Sequence, residues 1–496
     1  MKTSKTHINT HVEGTAFNRF FQECVGSCHA YLTLREDWRQ HLRVVQDAIG
    51  FKQVRFHGLF HDLVGVYQED RNGNPIFNFQ NVDKIFDGLL SNNVRPFVEL
   101  GFMPSQLASG PHTVFQYAGN ITPPKDYNKW NALVQALAIH CIERYGLDEI
   151  LGWRWEVWNE PNLDCFWSGG QAEYFTLYAE TACTIKGIDS RLMVGGPATS
   201  LNMWVQEMID YCAVNNVPLD FISTHHYCCD ASFEMGVPTG PVQYRGQKVM
   251  AQEVRQTVRK IRASEFPNAE VHYTEWNVSP CHEDRFGKDS EFTAVFLLQT
   301  LRDMDDLAHS YSFWTLTDIF EESGPGLTPF SGKYGLLNLH GIQKPAFHAY
   351  RFLSSLYDTV IPHSEESLWV SRSEDGHLRL LTWNFTDALE GRFDGKDYVM
   401  PQDCERNEIL VLEVPAGKYS IQSERMDRKN GNAYRAWQSM GEPQYPTADQ
   451  MEALKESSHT LKTEPEIRDC GDGILRIEHL MSESAIIFYD LRKLPI

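Results

Sequence analysis

Two glutamates, each at the end of an apolar and aromatic run, are the residues of this chain best suited to chemistry. Glu160 lies in the segment Trp158–Pro161, and Glu275 lies in the segment His272–Asn277. Both segments are typical of buried strands, so both carboxyl groups are expected among aromatic rings. Acid-catalysed cleavage of a glycosidic bond needs such a pair of carboxyl groups. The pair predicts a sugar hydrolase.

The elements that would carry these glutamates alternate regularly between about residues 20 and 350. Strands are predicted at Phe21–Cys28, Gln53–Leu59, Arg95–Gly101, Gly152–Asn159, Leu192–Gly196, Phe221–Tyr227, Glu270–Trp276 and Tyr311–Thr317. Amphipathic helices are predicted at Asp37–Ile49, Asn81–Ser91, Tyr127–Tyr145, Glu173–Ile188, Met203–Asn215, Ala251–Ser264, Glu291–Ala308 and Pro345–Leu356. Eight strands alternating with eight helices favour an α/β chain closed into a (β/α)8 TIM barrel. A doubly wound open sheet also fits the alternation, but no Gly-x-Gly-x-x-Gly motif follows the first strand.

The pattern changes after about residue 357, where shorter strand signals follow one another. Strands are predicted at Leu368–Val370, Leu378–Trp383, Ile409–Val414, Tyr419–Ser423, Ile474–Ile477 and Ala485–Tyr489, with one helix at Thr447–Ser457. They indicate an antiparallel β-sandwich accessory domain. We therefore predict a catalytic barrel at residues 14–356 and a sandwich at residues 357–496, with residues 1–13 contributing a strand to the sandwich.

A barrel would bring the two glutamates to one place. The carboxyl ends of the strands form the active-site face, and Glu160 and Glu275 close the fourth and seventh strands, on roughly opposite sides of the mouth. A retaining mechanism needs carboxyl groups about 5–5.5 Å apart, and an inverting one needs about 6.5–9.5 Å. The sequence leaves this choice open.

Several segments resemble glycoside hydrolase family 39, and most closely its bacterial β-xylosidases. They are Arg55–Leu59, Arg95–Pro104, Glu156–Leu163, Val194–Ala198, His272–Asn277, Phe313–Thr315, Asp318–Glu322 and Gly441–Pro446. The resemblance implies that Glu160 is the general acid/base and Glu275 the nucleophile. It also implies a retaining exo-glycosidase that releases xylose from the non-reducing end of β-xylosides and xylo-oligosaccharides.

The resemblance also assigns residues to the substrate. Asn159 would bind the sugar 2-hydroxyl, Tyr227 would orient the nucleophile, and Trp314 would stack under the sugar. The remaining substrate-binding residues would be His57, His225, Glu322 and, less firmly, Glu321. Two of these assignments have a structural alternative. Trp314 could be an ordinary core residue, and Glu321 and Glu322 could be a solvated acidic pair.

The two glutamates need different ionisation states. Glu160 must hold its proton, which apolar surroundings and the negative charge of Glu275 would favour. Glu275 must be ionised to attack the anomeric carbon. We therefore expect a bell-shaped pH dependence of kcat/KM.

Other functions fit parts of the sequence. The same family also contains α-L-iduronidases, but adjacent acidic residues after the eighth strand would repel a uronate. A β-glucosidase, a β-galactosidase or an α-L-arabinosidase stays open. So do a non-catalytic sugar-binding protein and a metal-dependent barrel hydrolase.

A metal centre is disfavoured, and neither a metal nor a cofactor is expected. His225 and His226 stand beside Cys228 and Cys229, but neighbouring residues of a strand point to opposite faces and make poor joint ligands. Thr224 departs from the family pattern, in which a basic residue is common at this position.

Composition restricts the partners of this chain of 496 residues. Its net charge of −21 disfavours nucleic acid and anionic membranes. The amino terminus lacks the apolar stretch of a signal peptide, and no segment reaches the length of a membrane span. The 11 scattered cysteines suit a reduced compartment. We expect a cytoplasmic enzyme acting on a small glycoside, and a homo-oligomer is compatible with the family.

Overall fold

The computed structural model describes residues 2–230, 233–234, 237–238, 243–387 and 405–495. Eight parallel strands form a closed barrel. They are β1 (Val25–His29), β2 (Gln53–His57), β3 (Arg95–Leu100), β4 (Arg154–Val157), β5 (Met193–Thr199), β6 (Phe221–Tyr227), β7 (Glu270–Asn277) and β8 (Ser310–Phe313). The helices that follow them in turn are α1 (Glu36–Ala48), α2 (Gln80–Leu90), α3 (Tyr127–Tyr145), α4 (Gly170–Ile188), α5 (Val205–Asn215), α6 (Lys248–Arg262), α7 (Glu291–Asp303) and α8 (Pro345–Ser354). The predicted (β/α)8 barrel is confirmed.

The helices bury one face each against the barrel. In α1 the buried residues Trp38, Leu42 and Val45 recur at helical spacing, as an amphipathic helix requires. Trp153 and Trp155, on the chain leading through β4, are fully buried in the same core. No helix in the described ranges is long and apolar enough to cross a membrane.

Strand β8 ends earlier than predicted. Beyond Phe313 the backbone pairs with the loop that follows: Thr315 N–H donates to Tyr334 O at 3.1 Å, and Leu336 N–H donates to Thr315 O at 3.1 Å. The same segment keeps contact with the neighbouring barrel strands, because Trp314 N–H donates to Trp276 O at 3.0 Å and Leu316 N–H donates to Gly26 O at 2.8 Å.

The carboxyl-terminal part contains two further sheets. One sheet joins Thr15–Ala16, Thr359–Val360, Leu368–Arg372, Leu378–Trp383, Ile486–Lys493, Gly417–Met426 and Leu461–Lys462 in that order, with Glu466–Cys470 also paired to Gly417–Met426. The other joins Lys2–Asn9, Arg406–Glu413 and Ile474–Met481. Apolar side chains from both sheets share one core, which makes a sandwich. The predicted antiparallel domain is confirmed, apart from the pairing of Lys2–Asn9 with Arg406–Glu413, which is parallel.

The helix predicted at Thr447–Ser457 spans Ala448–Ser457, with Thr447 as its capping residue. A second helix, Ala433–Ser439, was not predicted, because it is short and lies beside glycines and asparagines that favour a loop. Its Tyr434 and Trp437 pack against Phe330 of the barrel loop after β8. This contact supports one rim of the barrel mouth.

The chain begins in the sandwich before it builds the barrel. Lys2–Asn9 and Thr15–Ala16 both pair with strands of the carboxyl-terminal sheets. The rings of Phe352 and Phe488 stack between the two parts with centroids 5.5 Å apart, and Arg351 Nη2 lies 2.6 Å from Glu424 Oε1. These contacts tie the sandwich to the barrel at α8.

Candidate active site

Glu160 is presented at the barrel mouth by a strained turn after β4. Trp158 and Glu160 adopt φ values of 71° and 42°, which non-glycine residues rarely do. The turn is held by a hydrogen bond from Glu160 N–H to Ala198 O at 2.8 Å and one from Trp158 Nε1 to Phe166 O at 2.8 Å. Backbone strain of this kind costs about 1–3 kcal/mol and is concentrated at functional sites.

Glu275 lies in β7, and both of its carboxylate oxygens accept hydrogen bonds. Arg55 Nη1 donates to Oε1 at 2.9 Å, and the Tyr227 hydroxyl donates to Oε2 at 2.8 Å. Both donors stabilise the ionised carboxylate. The two hydrogen bonds fix the orientation of the Glu275 carboxyl group.

The two glutamates approach each other beside His225. An oxygen of Glu160 and an oxygen of Glu275 lie within 4.8 Å of each other. His225 Nδ1 is 2.9 Å from Glu160 Oε1 and 3.5 Å from Glu275 Oε2. The barrel therefore brings together the pair that the sequence predicted.

The electrostatics of the site separate the two carboxyl groups. Burial raises the pKa of Glu160 to about 7, while the positive charge of Arg55 acts in the opposite direction. Burial also lowers the pKa of His225 to about 4 and that of His57 to about 3, so both imidazoles are neutral near pH 7. Glu160 can thus retain a proton at neutral pH.

Arg55 organises the centre of the barrel, and sequence reasoning missed this role. Beside its contact with Glu275, its Nε is 2.5 Å from Glu156 Oε2, its Nη2 is 3.0 Å from Glu99 Oε2, and Nη2 also donates to Asn159 Oδ1 at 2.9 Å. An arginine inside an otherwise apolar strand pattern was the available signal, because a buried arginine needs partners. The partners could not be chosen without the barrel register.

His57 belongs to the same network. Its Nδ1 lies 2.6 Å from Glu99 Oε2, and its Nε2 lies 3.4 Å from Glu275 Oε1. Burial raises the pKa of Glu99 to about 8, although the positive charge of Arg55 opposes that rise. Glu99 therefore connects the histidine of β2 to the arginine that holds Glu275.

The carboxyl groups face a common pocket. Its walls consist of predicted site residues and of aromatic and loop residues: His57, Phe115, Asn159, Glu160, Phe166, Ser200, Tyr227, Glu275, Pro280, His282, Trp314, Glu322 and Tyr334. Trp314 packs against β1 at Gly26, where a Cβ atom would lie 2.4 Å from the indole ring. Glycine at that position allows the ring to form part of the pocket wall.

The structure separates Glu321 from the other predicted site residues. Neither Glu321 nor His225 is among the residues that line the pocket, but His225 lies beside Glu160 and Glu275. The Glu321 carboxylate lies 3.1 Å from Arg35 Nη1 and 3.3 Å from His29 Nε2, and its side chain is 32% exposed. Glu322, in contrast, is buried in the pocket wall. His282, Phe115, Phe166, Ser200, Pro280 and Tyr334 were not predicted, because loop residues leave no periodic signal.

One group of side chains within the described ranges has the composition of a metal site: Glu160, His225 and Glu275. Arg55 and Tyr227 already occupy both oxygens of Glu275, and the guanidinium would repel a cation. His225 and His226 diverge, since His226 Nε2 lies 2.8 Å from Glu253 Oε2 outside the barrel. The arrangement fits two carboxyl groups held by hydrogen bonds from neighbouring side chains better than it fits a metal centre.

A (β/α)8 barrel with two buried carboxyl groups facing each other across its mouth defines a glycoside hydrolase. The family described as "Glycosyl hydrolases family 39" matches residues 4–471, and the chain belongs to that family. The resemblance predicted from the sequence is confirmed, as is the enzyme class.

Three similar proteins illustrate the relationship. A protein named "Beta-xylosidase" from Caldicellulosiruptor saccharolyticus is 40% identical over 93% of this chain and 93% of its own length. Another named "Beta-xylosidase", from Geobacillus stearothermophilus, is 36% identical over 96% of this chain and 93% of its own length. A solved structure described as "the GH39 enzyme from Xanthomonas axonopodis pv. citri" is 32% identical, with a TM-score of 0.92 over 100% of this chain and 98% of that one.

Proposed function

We propose that the chain is a retaining exo-glycosidase that releases xylose from the non-reducing end of β-xylosides and xylo-oligosaccharides. The observation that carries the proposal is the approach of Glu160 and Glu275 oxygens to within 4.8 Å. Retaining enzymes hold their carboxyl groups about 5–5.5 Å apart, whereas inverting enzymes need about 6.5–9.5 Å to admit a water molecule. One oxygen of each glutamate lies within the shorter range, which supports direct attack by one carboxylate.

The environments of the two glutamates support a different role for each. Glu275, held as an anion by Arg55 and Tyr227, attacks the anomeric carbon and forms a glycosyl ester. Glu160, whose pKa burial raises to about 7, donates its proton to the departing glycosidic oxygen. Once the ester has neutralised Glu275, the lost charge makes Glu160 a stronger acid, so its carboxylate can take a proton from the water that cleaves the ester.

The shape and charge of the pocket support exo action on a neutral sugar. Glu160, Glu275 and Glu322 are at most 8% exposed and line one pocket, which suits a site that encloses one sugar at the end of a chain. Among the described residues that line it, none is a lysine or an arginine that could neutralise a uronate. The names of the two relatives above favour xylose as the sugar.

Hydrolysis of p-nitrophenyl glycosides tests this function. The panel is β-xyloside, α-arabinoside, β-glucoside, β-galactoside and α-iduronide, each with and without chelator. We expect chelator-resistant release from β-xyloside that is lost in Glu275→Ala and kept in Glu452→Ala, whose carboxylate is 69% exposed on a sandwich helix. Preference for another glycoside would contradict the xylose assignment, and inhibition by chelator would contradict the metal-free mechanism.

The product of the first turnover tests retention. NMR of the sugar released from the β-xyloside should show the β-anomer before mutarotation. Initial α-anomer would indicate inversion and would contradict the assignment of Glu275 as a nucleophile.

A further inference from the structure

His282 is a pocket residue to which the proposed mechanism gives no role. It lies in the loop after β7, lines the pocket beside Glu322, and is 5% exposed. Its ring meets those of Phe320 and Tyr334 edge-on, with centroids 5.6 and 5.9 Å away. These rings fix the imidazole at one wall of the pocket.

Two buried polar atoms at this wall lack a partner. Within the described part of the chain, neither His282 Nδ1 nor Glu322 Oε1 has a hydrogen-bond partner. The other nitrogen of the ring, Nε2, lies 3.3 Å from Glu322 Oε2. A buried polar atom without a partner is costly, so a pair of them in a pocket wall indicates that a bound ligand completes the hydrogen bonding.

The chemistry of the pair suits a hydroxyl group. Burial and the positive charges of Lys333 and Lys288 hold the pKa of His282 well below its usual range, so the imidazole is neutral. A neutral imidazole has one donor and one acceptor nitrogen, and a carboxyl oxygen accepts. A sugar hydroxyl, which both donates and accepts, can pair with Nδ1 whichever of the two ring nitrogens carries the proton.

We propose that His282 is a substrate-binding residue that takes a sugar hydroxyl at Nδ1 and makes the pocket selective for sugars that carry this hydroxyl. The inference rests on the proposed function. Because the resemblance assigns the 2-hydroxyl to Asn159, the hydroxyl at His282 is that of C3 or C4.

A cycle between enzyme variants and deoxy substrates tests the proposal. Wild type and His282→Phe are compared on a p-nitrophenyl glycoside and on its 2-, 3- and 4-deoxy derivatives. The parent is the glycoside that the wild type cleaves fastest, so an error in the xylose assignment changes the parent and leaves the test of His282 intact.

We expect His282→Phe to lower kcat/KM for the parent about 10-fold, the effect of one hydrogen bond lost in a buried site. In wild type, kcat/KM for either the 3- or the 4-deoxy derivative should be lower than kcat/KM for the parent by nearly the same factor. For that derivative, His282→Phe should lower kcat/KM by about 2-fold or less. If the fold-loss caused by His282→Phe were the same on the parent and on all three deoxy derivatives, His282 would have only a packing role, and the proposal would be overturned.

Two further variants separate the ring nitrogens and guard against misfolding. The amide of asparagine places a polar atom near the position of Nδ1, and that of glutamine places one near Nε2. His282→Asn should therefore keep more activity on the parent than His282→Gln, at a thermal midpoint equal to that of wild type. Greater rescue by His282→Gln would contradict the assignment of the hydroxyl to Nδ1.

Discussion

Replacing Glu160 with glutamine should lower activity strongly and, at the same time, stabilise the fold at alkaline pH. Burial raises the pKa of this carboxyl from 4.5 to about 7. A raised pKa means that the folded protein favours the protonated form, so its stabilising contribution is complete below pH 4.5 and is lost as the pH rises to 7. A shift of this size corresponds to roughly 3 kcal/mol, because one pKa unit is about 1.4 kcal/mol. Glutamine is uncharged at every pH in this range, so the variant does not lose this stabilising free energy as the pH rises.

The assay compares the thermal midpoints of Glu160→Gln and wild type at pH 5, 6, 7 and 8. Other titrating groups contribute equally to both proteins, so the difference between the midpoints isolates Glu160. We expect little difference at pH 5 and a variant that is more stable by several °C at pH 8. Glu452→Gln, on an exposed helix, should show no pH-dependent difference. A difference between Glu160→Gln and wild type that stays constant from pH 5 to pH 8 would refute the assigned pKa.

Three further predictions concern the same site and the sandwich. For wild type on a substrate with a poor leaving group, kcat/KM should fall above about pH 7. This alkaline fall should disappear in Glu160→Gln, which should be slower by about 10²–10⁴-fold. An unchanged pH profile in the variant would contradict Glu160 as the acid. Tyr227→Phe removes a hydrogen bond to the charged Glu275 and should lower kcat about 10–100-fold with little change in KM, so an effect confined to KM would contradict a role in orienting the nucleophile. Deletion of residues 2–9 removes a strand that pairs along all of Arg406–Glu413, and it should lower the thermal midpoint while leaving kcat of the folded fraction unchanged. A deletion variant as stable as wild type would show that this strand does not hold the sandwich.

Most of the barrel was predictable because its strands are buried on both faces and its helices are amphipathic. The runs around β6 and β7 matched the observed strands to within a residue, and both glutamates proposed as catalytic were found from their positions beside such runs. Their approach to each other required only the rule that strand ends share one face of a barrel. The end of β8 was missed, because the hydrogen bonds of Thr315 and Leu336 with the following loop are not local in sequence.

The rest of the site depends on contacts between distant segments. Arg55, Glu99 and Glu156 stand on three neighbouring strands, and their pairing depends on a register that no single strand reveals. His282 lies in an irregular loop where residue type alone does not show whether a side chain faces the pocket. Glu321 and Glu322 are adjacent and chemically identical, yet only Glu322 lines the pocket, since Arg35 and His29 hold the carboxylate of Glu321.

The most direct test of the central claim is to trap the covalent intermediate on Glu275. The protein is incubated with a 2-deoxy-2-fluoro-β-xyloside that carries a good leaving group, digested, and analysed by peptide mass spectrometry. We predict one added fluoroxylosyl group on the peptide that contains Glu275, and none in Glu275→Ala. A label on another residue, or turnover of the fluorosugar with inverted configuration and no label, would contradict the account.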